Sequence, residues 1–189
     1  MGAFGIVLTP IFPFFAAEAF SKDQYINVFH AKTGITKLNA KQEEQASSDF
    51  VVYDSEEFSI NYPRGWQVTP QENNGVAIIS TDITMPIRTE INLLRENPDT
   101  VVPQKLEQIV ASGVAVSRYS LVTVNGQSGF RIWHDSATGQ QTLVTFIGYG
   151  EQQTAILTSS YTPNTEIETL VTTIHGSFIN HSVAQATQP

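Results

Sequence analysis

The sequence predicts an α+β fold: an antiparallel sheet whose apolar faces are covered by helices. Three observations carry this. Between Tyr119 and Tyr161, strand-like segments alternate with turn signals at Asn125-Gly126, Ser136-Ala137-Thr138-Gly139 and Gly150-Glu151-Gln152, as an antiparallel meander requires. Two stretches repeat apolar residues at helical spacing instead: Leu106, Ile109 and Val110, then Ile167, Leu170, Val171 and Ile174. The order of strands, helix, meander and helix, with no internal repeat, is that of an α+β domain.

Taken in order, residues 1–19 form an apolar, aromatic leader. The run 2–17 is too short to span a bilayer, for which about 20 apolar residues are needed. Ala17-Glu18-Ala19 fits a small-x-small cleavage site, so the leader reads as an export signal. No Lys or Arg precedes it, so either the natural start lies upstream or the run is a hydrophobic terminus packed on its own domain. Residues 20–49 read as a linker or docking arm. Lys41–Ser48 is polar, while Tyr25, Ile26, Val28 and Phe29 form one small apolar cluster.

The folded domain is expected over residues 50–180. After Phe50-Val51-Val52-Tyr53 comes the organising strand, in which Phe58, Ile60 and Tyr62 alternate with Ser59 and Asn61. Pro63-Arg64-Gly65 bends the chain, and Trp66 is expected to fold back over the sheet as a buried residue. Asn73-Asn74-Gly75 is a turn, and the apolar run Val76–Ile79 is a central strand. Arg88–Leu93 alternates, with Thr89, Ile91 and Leu93 on one face, and Asn97-Pro98-Asp99 closes it. The first helix uses Val102, Leu106, Ile109 and Val110, with Gly113 as its stop. In the meander, Phe130 and Ile132 alternate with Arg131 and Trp133. Thr165 and Glu168 read as a capping box, Gly176 as a helix stop, and Phe178 as a residue packed just beyond it. Residues 181–189 are expected to be a frayed polar tail.

The net charge of −8 disfavours a nucleic-acid partner, which requires a basic surface. With no cysteine, thiol catalysis, thiolate zinc sites and Cys-linked lipid anchors are excluded. No Gly-x-Ser-x-Gly, glycine-rich phosphate loop, His-Glu-x-x-His or calcium loop occurs. His134-Asp135 sits at a strand end, where neighbours point to opposite faces, so the pair is expected to be exposed rather than to act jointly. His175-Gly176-Ser177 reads as a helix C-terminus, with a charged His175 on the dipole and Gly176 in the left-handed region, rather than as a Ser/His pair. His30 and His181 lie far apart in sequence, and Glu56, Glu57, Glu90 and Glu96 are read as surface carboxylates. No catalytic, cofactor-binding or metal-ligating residue is assigned, and no cofactor is expected.

Phe58-Ser59-Ile60-Asn61-Tyr62-Pro63-Arg64-Gly65-Trp66 resembles the F-x-x-x-Y-P-x-G-W opening of PsbP-like domains, named for the extrinsic luminal subunit of photosystem II. The later order is similar too: a helix near 103–112, a strand into Asn125-Gly126, two meander strands, and a final helix ending in Ser177-Phe178. The likeness covers roughly residues 50–180. It implies an α-β-α sandwich around a central antiparallel sheet and a non-enzymatic accessory or assembly protein. Such a protein would be peripheral to the membrane, monomeric when free, and bound to a photosystem in the thylakoid lumen. Cyanobacterial members are commonly anchored through a lipidated cysteine, which this chain lacks. The alternative is a periplasmic or envelope protein that binds a small ligand or metal.

Overall fold

The computed structural model describes residues 49–136 and 138–184. The leader, all of the arm before Asp49, and the last five residues lie outside the described residues. The described residues form two antiparallel sheets. The smaller has the order β1-β2-β10, from β1 (Phe50–Asp54), β2 (Phe58–Pro63) and β10 (Ile179–Asn180). The larger has the order β3-β4-β5-β9-β8-β7-β6. Its strands are β3 (Gln67–Pro70), β4 (Val76–Ile79), β5 (Arg88–Leu94), β6 (Val116–Val124), β7 (Gln127–Asp135), β8 (Gln141–Tyr149) and β9 (Gln153–Tyr161). Helix α1 (Pro98–Ala111) links β5 to β6, α2 (Thr165–Gly176) follows β9, and one helical turn, α3 (His181–Ala184), follows β10. The class is α+β, as expected from the sequence.

The three turn signals of the meander act through positive φ, at Asn125 and Gly126, at Gly139 and at Gly150. Asn125 and Gly126 take φ of 47° and 82°, which lets a two-residue turn match the twist of β6 and β7. Gly65 (φ 88°) lets the chain leave β2 of the small sheet and enter β3 of the large one. The Pro63-Arg64-Gly65 bend therefore passes the chain between sheets and does not fold β2 back on itself.

Residues that alternate along β8 and β9 enter different cores. Val144, Phe146 and Ile156 pack with Phe130 and Ile132 under Val101 and Val102 of α1. Leu143 and Tyr161 pack with Trp133, Ile87, and Ile167 and Val171 of α2. Ile147, Tyr149 and Leu157 share a third cluster with Phe58, Ile60, Ile174 and Phe178, where the small sheet rests on the large one. The Phe58 and Phe178 rings are 5.3 Å apart, and those of Tyr149 and Phe178 6.4 Å.

Several elements depart from the sequence reading, each for a local reason. Asn97-Pro98-Asp99 opens α1 instead of only closing β5: the Asn97 side chain accepts from the Asp99 backbone N–H at 2.8 Å, and Pro98 occupies the first turn, where its missing N–H costs nothing. The helix face is consequently rotated. Pro98, Val101 and Val102 are buried, whereas Val110 is 64% exposed. At α2 the capping box is not formed. Asn164 is the N-cap, accepting from Glu166 and Ile167, and Thr165 is the first helical residue. Trp133 is buried although it falls out of phase with Phe130 and Ile132, because β7 is covered on both faces. Ser59, expected on the solvent side, is also buried, on the face where His181 of α3 meets β2. Trp66 is half-buried, not sealed, and touches two clusters. His181 is fastened to the small sheet: its backbone N–H donates to Glu57 O at 2.9 Å, and its Nε2 lies 3.2 Å from Ser59 Oγ.

The junction of the sheets should therefore be the costliest place to truncate. Phe58→Ala and Phe178→Ala are each expected to lose about 3–5 kcal/mol in urea unfolding, and half-buried Trp66→Ala less than either. A double-mutant cycle should show coupling between the two phenylalanines. A Trp66→Ala loss equal to that of Phe178→Ala would contradict this packing.

Candidate functional site

The polar residues that the fold gathers most tightly surround His175. Thr145 of β8, Ser159 of β9 and Thr89 of β5 are buried on the sheet face beneath α2, and His175 is 0% exposed. Its Nδ1 lies 2.7 Å from Thr145 Oγ1, its Nε2 lies 2.8 Å from Ser159 Oγ, and Ser159 Oγ lies 2.6 Å from Thr89 Oγ1. A neutral imidazole offers one donor and one acceptor, and hydroxyls serve either role, so this chain can satisfy all of its members. Burial, reinforced by the nearby Arg131 cation, lowers the His175 pKa from 6.5 to about 3.

This overturns the reading of His175 as a charged helix terminus. The imidazole is neutral and buried, and Gly176 is still helical, followed by Ser177 as a C-cap with φ −88°. The cation at the end of α2 comes from β7 instead: the Arg131 guanidinium donates to Thr172 O at 3.2 Å. Ser177 does not meet His175. Its Oγ accepts from the Asn61 N–H at 2.9 Å and donates to Ile174 O at 2.7 Å, coupling the end of α2 to β2. Ser159 and His175 do form a hydroxyl–imidazole pair, which no sequence motif announced. Thr145 stands where a carboxylate would orient the ring, and the hydroxyl is sealed from any substrate, so the pair fastens α2 to the sheet.

The remaining candidates are dispersed. His134 and Asp135 do diverge, but His134 is half-buried rather than exposed, and its Nδ1 is buried without a hydrogen-bond partner among the described residues. Burial lowers the His134 pKa, an effect partly offset by Asp135. Asp135 is exposed and accepts from Gln141 Nε2. His181 lies 3.6 Å from Asp54, and His30 falls outside the described residues. Glu57 pairs with Arg95 at 3.1 Å and Glu90 with Arg88 at 2.8 Å, while Glu56 and Glu96 are exposed. Among the described residues, no three His, Asp or Glu side chains converge as metal ligands would. A depression of about 330 Å³ lies beside β4 and β5, lined by Gln71, Glu72, Val76, Glu90, Ile91 and Asn92.

Several large apolar side chains are exposed. Val116, Tyr119 and Leu121 are exposed on the edge strand β6, by 41%, 57% and 53%. At one end of the large sheet, Ile83 (93%) and Met85 (44%) project from the β4–β5 loop. The Asp82 carboxylate accepts from both the N–H and the hydroxyl of Thr84, at 2.8 and 2.7 Å, and these bonds hold its pKa below the usual carboxylate value.

No family model matches the sequence, and no curated protein matches it. The fold is similar to the solution structure of cyanobacterial PsbP (CyanoP) from Synechocystis sp. PCC 6803, with a TM-score of 0.52 and 11% identity over 75% of this chain and 98% of that one. Two further likenesses fall below a TM-score of 0.5 and carry no argument. One is a protein from Bacteroides thetaiotaomicron VPI-5482 (0.39; 10% identity; 65% of this chain, 44% of that one). The other is a protein of unknown function from Pseudomonas aeruginosa (0.40; 16%; 60% and 83%). At these identities the likeness is one of fold.

The His175 chain has a consequence in pH. The unfolded imidazole takes up a proton below about 6.5 and the folded one only near 3, so the unfolded state binds more protons between those values. The neutral ring's contribution is complete above pH 6.5 and is lost as pH falls toward 3, by at most about 1.4 kcal/mol per unit. His175→Gln should cost about 1–3 kcal/mol at pH 7, and its deficit relative to wild type should shrink between pH 6 and 4. A deficit independent of pH would show that His175 titrates normally in the fold.

Proposed function

We propose that the chain is a non-catalytic, PsbP-like accessory or assembly protein that binds photosystem II at the luminal face of the thylakoid membrane. The observation that carries this reading is the likeness to CyanoP, which extends over 98% of that protein. The motif Tyr62-Pro63-Arg64-Gly65-Trp66 supports it, because it occupies the junction between the two sheets and so is part of how the fold is built. On this reading, α1, the large sheet and α2 correspond to the layers of the family's α-β-α sandwich, and the small sheet lies beside α2. The domain spans residues 50–180, with the leader 1–19 directing export and residues 20–49 acting as an arm.

A peripheral mode of association fits the described residues, none of which form a helix long and apolar enough to cross a membrane. The sealing of Ser159 and His175 beneath α2 favours a binding role over hydrolysis.

The test is direct binding of the tagged full chain to purified cyanobacterial photosystem II cores, read by co-migration on a density gradient. The expected result is saturable co-migration with a midpoint of about micromolar concentration. Failure of the folded chain to co-migrate with intact cores at tens of micromolar would overturn the proposal.

A further inference from the structure

The β4–β5 loop is shaped to present an apolar tip. Asp82 holds Thr84, Ser80 Oγ accepts from the Asp82 N–H at 3.1 Å, and the Ser80 N–H donates to Ile87 O at 2.9 Å. Ile83 is thereby held outward at 93% exposure with Met85 beside it. An apolar contact made by a loop already held in place loses little conformational freedom on forming. The surroundings are acidic. Strand registers place this loop at the same end of the large sheet as Asp135 and the start of α2 with Glu166. Asp49, Asp82, Asp135 and Glu166 are all exposed there, against the guanidinium of Arg64; Arg88 and Arg118 are already paired with Glu90 and Glu168.

The chain leaves the described domain at this same end. Asp49 O accepts from the Arg64 N–H at 2.7 Å, and two residues beyond Arg64, Trp66 leads into β3, whose Gln67 lies opposite Ile79 at the foot of the loop. The sequence before Asp49 has the complementary chemistry. Tyr25, Ile26, Val28 and Phe29 form its apolar cluster, flanked by Lys22 and Lys32, and residues 20–41 hold four lysines against one aspartate, a net +3. Phe29 lies twenty positions before Asp49, a length whose root-mean-square span in random-coil dimensions would be about 25 Å.

We infer that residues 22–32 dock in cis on the acidic end of the domain, with Tyr25–Phe29 covering Ile83 and Met85 and the flanking lysines facing the carboxylates. This inference rests on the charge and the exit point of the chain, and does not depend on which complex the domain binds.

Because the chain has no cysteine, engineered pairs report the contact cleanly. In the full chain, Asn27→Cys is combined with Thr81→Cys at the loop, or with Glu151→Cys at the opposite end of the sheet. Both partner positions are exposed. Under mild oxidation, the 27–81 disulfide should form at least about tenfold faster than 27–151, at a rate independent of protein concentration. Adding Ile83→Ser and Met85→Ser, or raising the salt, should remove most of that advantage. Equal rates for the two pairs would overturn the inference. So would a disulfide formed mainly between molecules, which would assign the surface to a second copy.

Discussion

A histidine sealed inside a sheet-rich domain at neutral pH must find two hydrogen-bond partners and stay uncharged, and much of this architecture follows from how His175 meets both demands. Its ring touches β8 through Thr145 and β9 through Ser159, and Ser159 passes the contact on to β5 through Thr89. Three adjacent strands at the centre of the large sheet are thus tied to one position on α2. Apolar contacts at Ile167, Val171 and Ile174 supply the burial that holds the helix down, but they are not directional. The hydroxyl–imidazole chain fixes where along the sheet the helix sits, since a shift by one turn would leave buried hydroxyls without partners. Arg131 reinforces the arrangement: it disfavours the imidazolium and takes the cationic place at the helix end.

That placement of α2 governs the next layer. Ser177 is bound to Asn61 immediately after the helix, Phe178 drops into the cluster with Phe58 and Tyr149, and Ile179–Asn180 pairs with β2. The first hairpin of the described domain therefore acquires its third strand only from the end of the chain. These are contacts of high sequence separation, which favours slow, late assembly of the small sheet relative to the local meander.

The parts legible in the sequence are those set by local chemistry. Asn125-Gly126 and Gly150 specify turns because their backbone conformations are required there, and the stripe Ile167, Val171, Ile174 marks one helix face whatever it packs against. What escaped depends on tertiary cover. Trp133 and Ser59 break the alternation because elements distant in sequence bury both sides of their strands, and Val110 fits the helical period yet faces solvent because Asn97 and Pro98 set the start of the helix. In sequence, His175 reads as a terminal cation because Gly176 follows it. Its neutrality depends on Thr145, Ser159 and Arg131, which are 30, 16 and 44 residues away in sequence. The bend at Pro63-Arg64-Gly65 was evident, but not that it joins two different sheets.

If the fold depends on a neutral, doubly bonded His175, the ring itself is where to look. Nitrogen-15 NMR of the folded protein should show His175 as a single neutral tautomer, with a ring N–H slow to exchange with water and no titration from pH 7 down to pH 5. Nitrogen shifts averaged over both tautomers, or a midpoint close to 6.5, would contradict the account, because the ring would then be solvated rather than joined to Thr145 and Ser159.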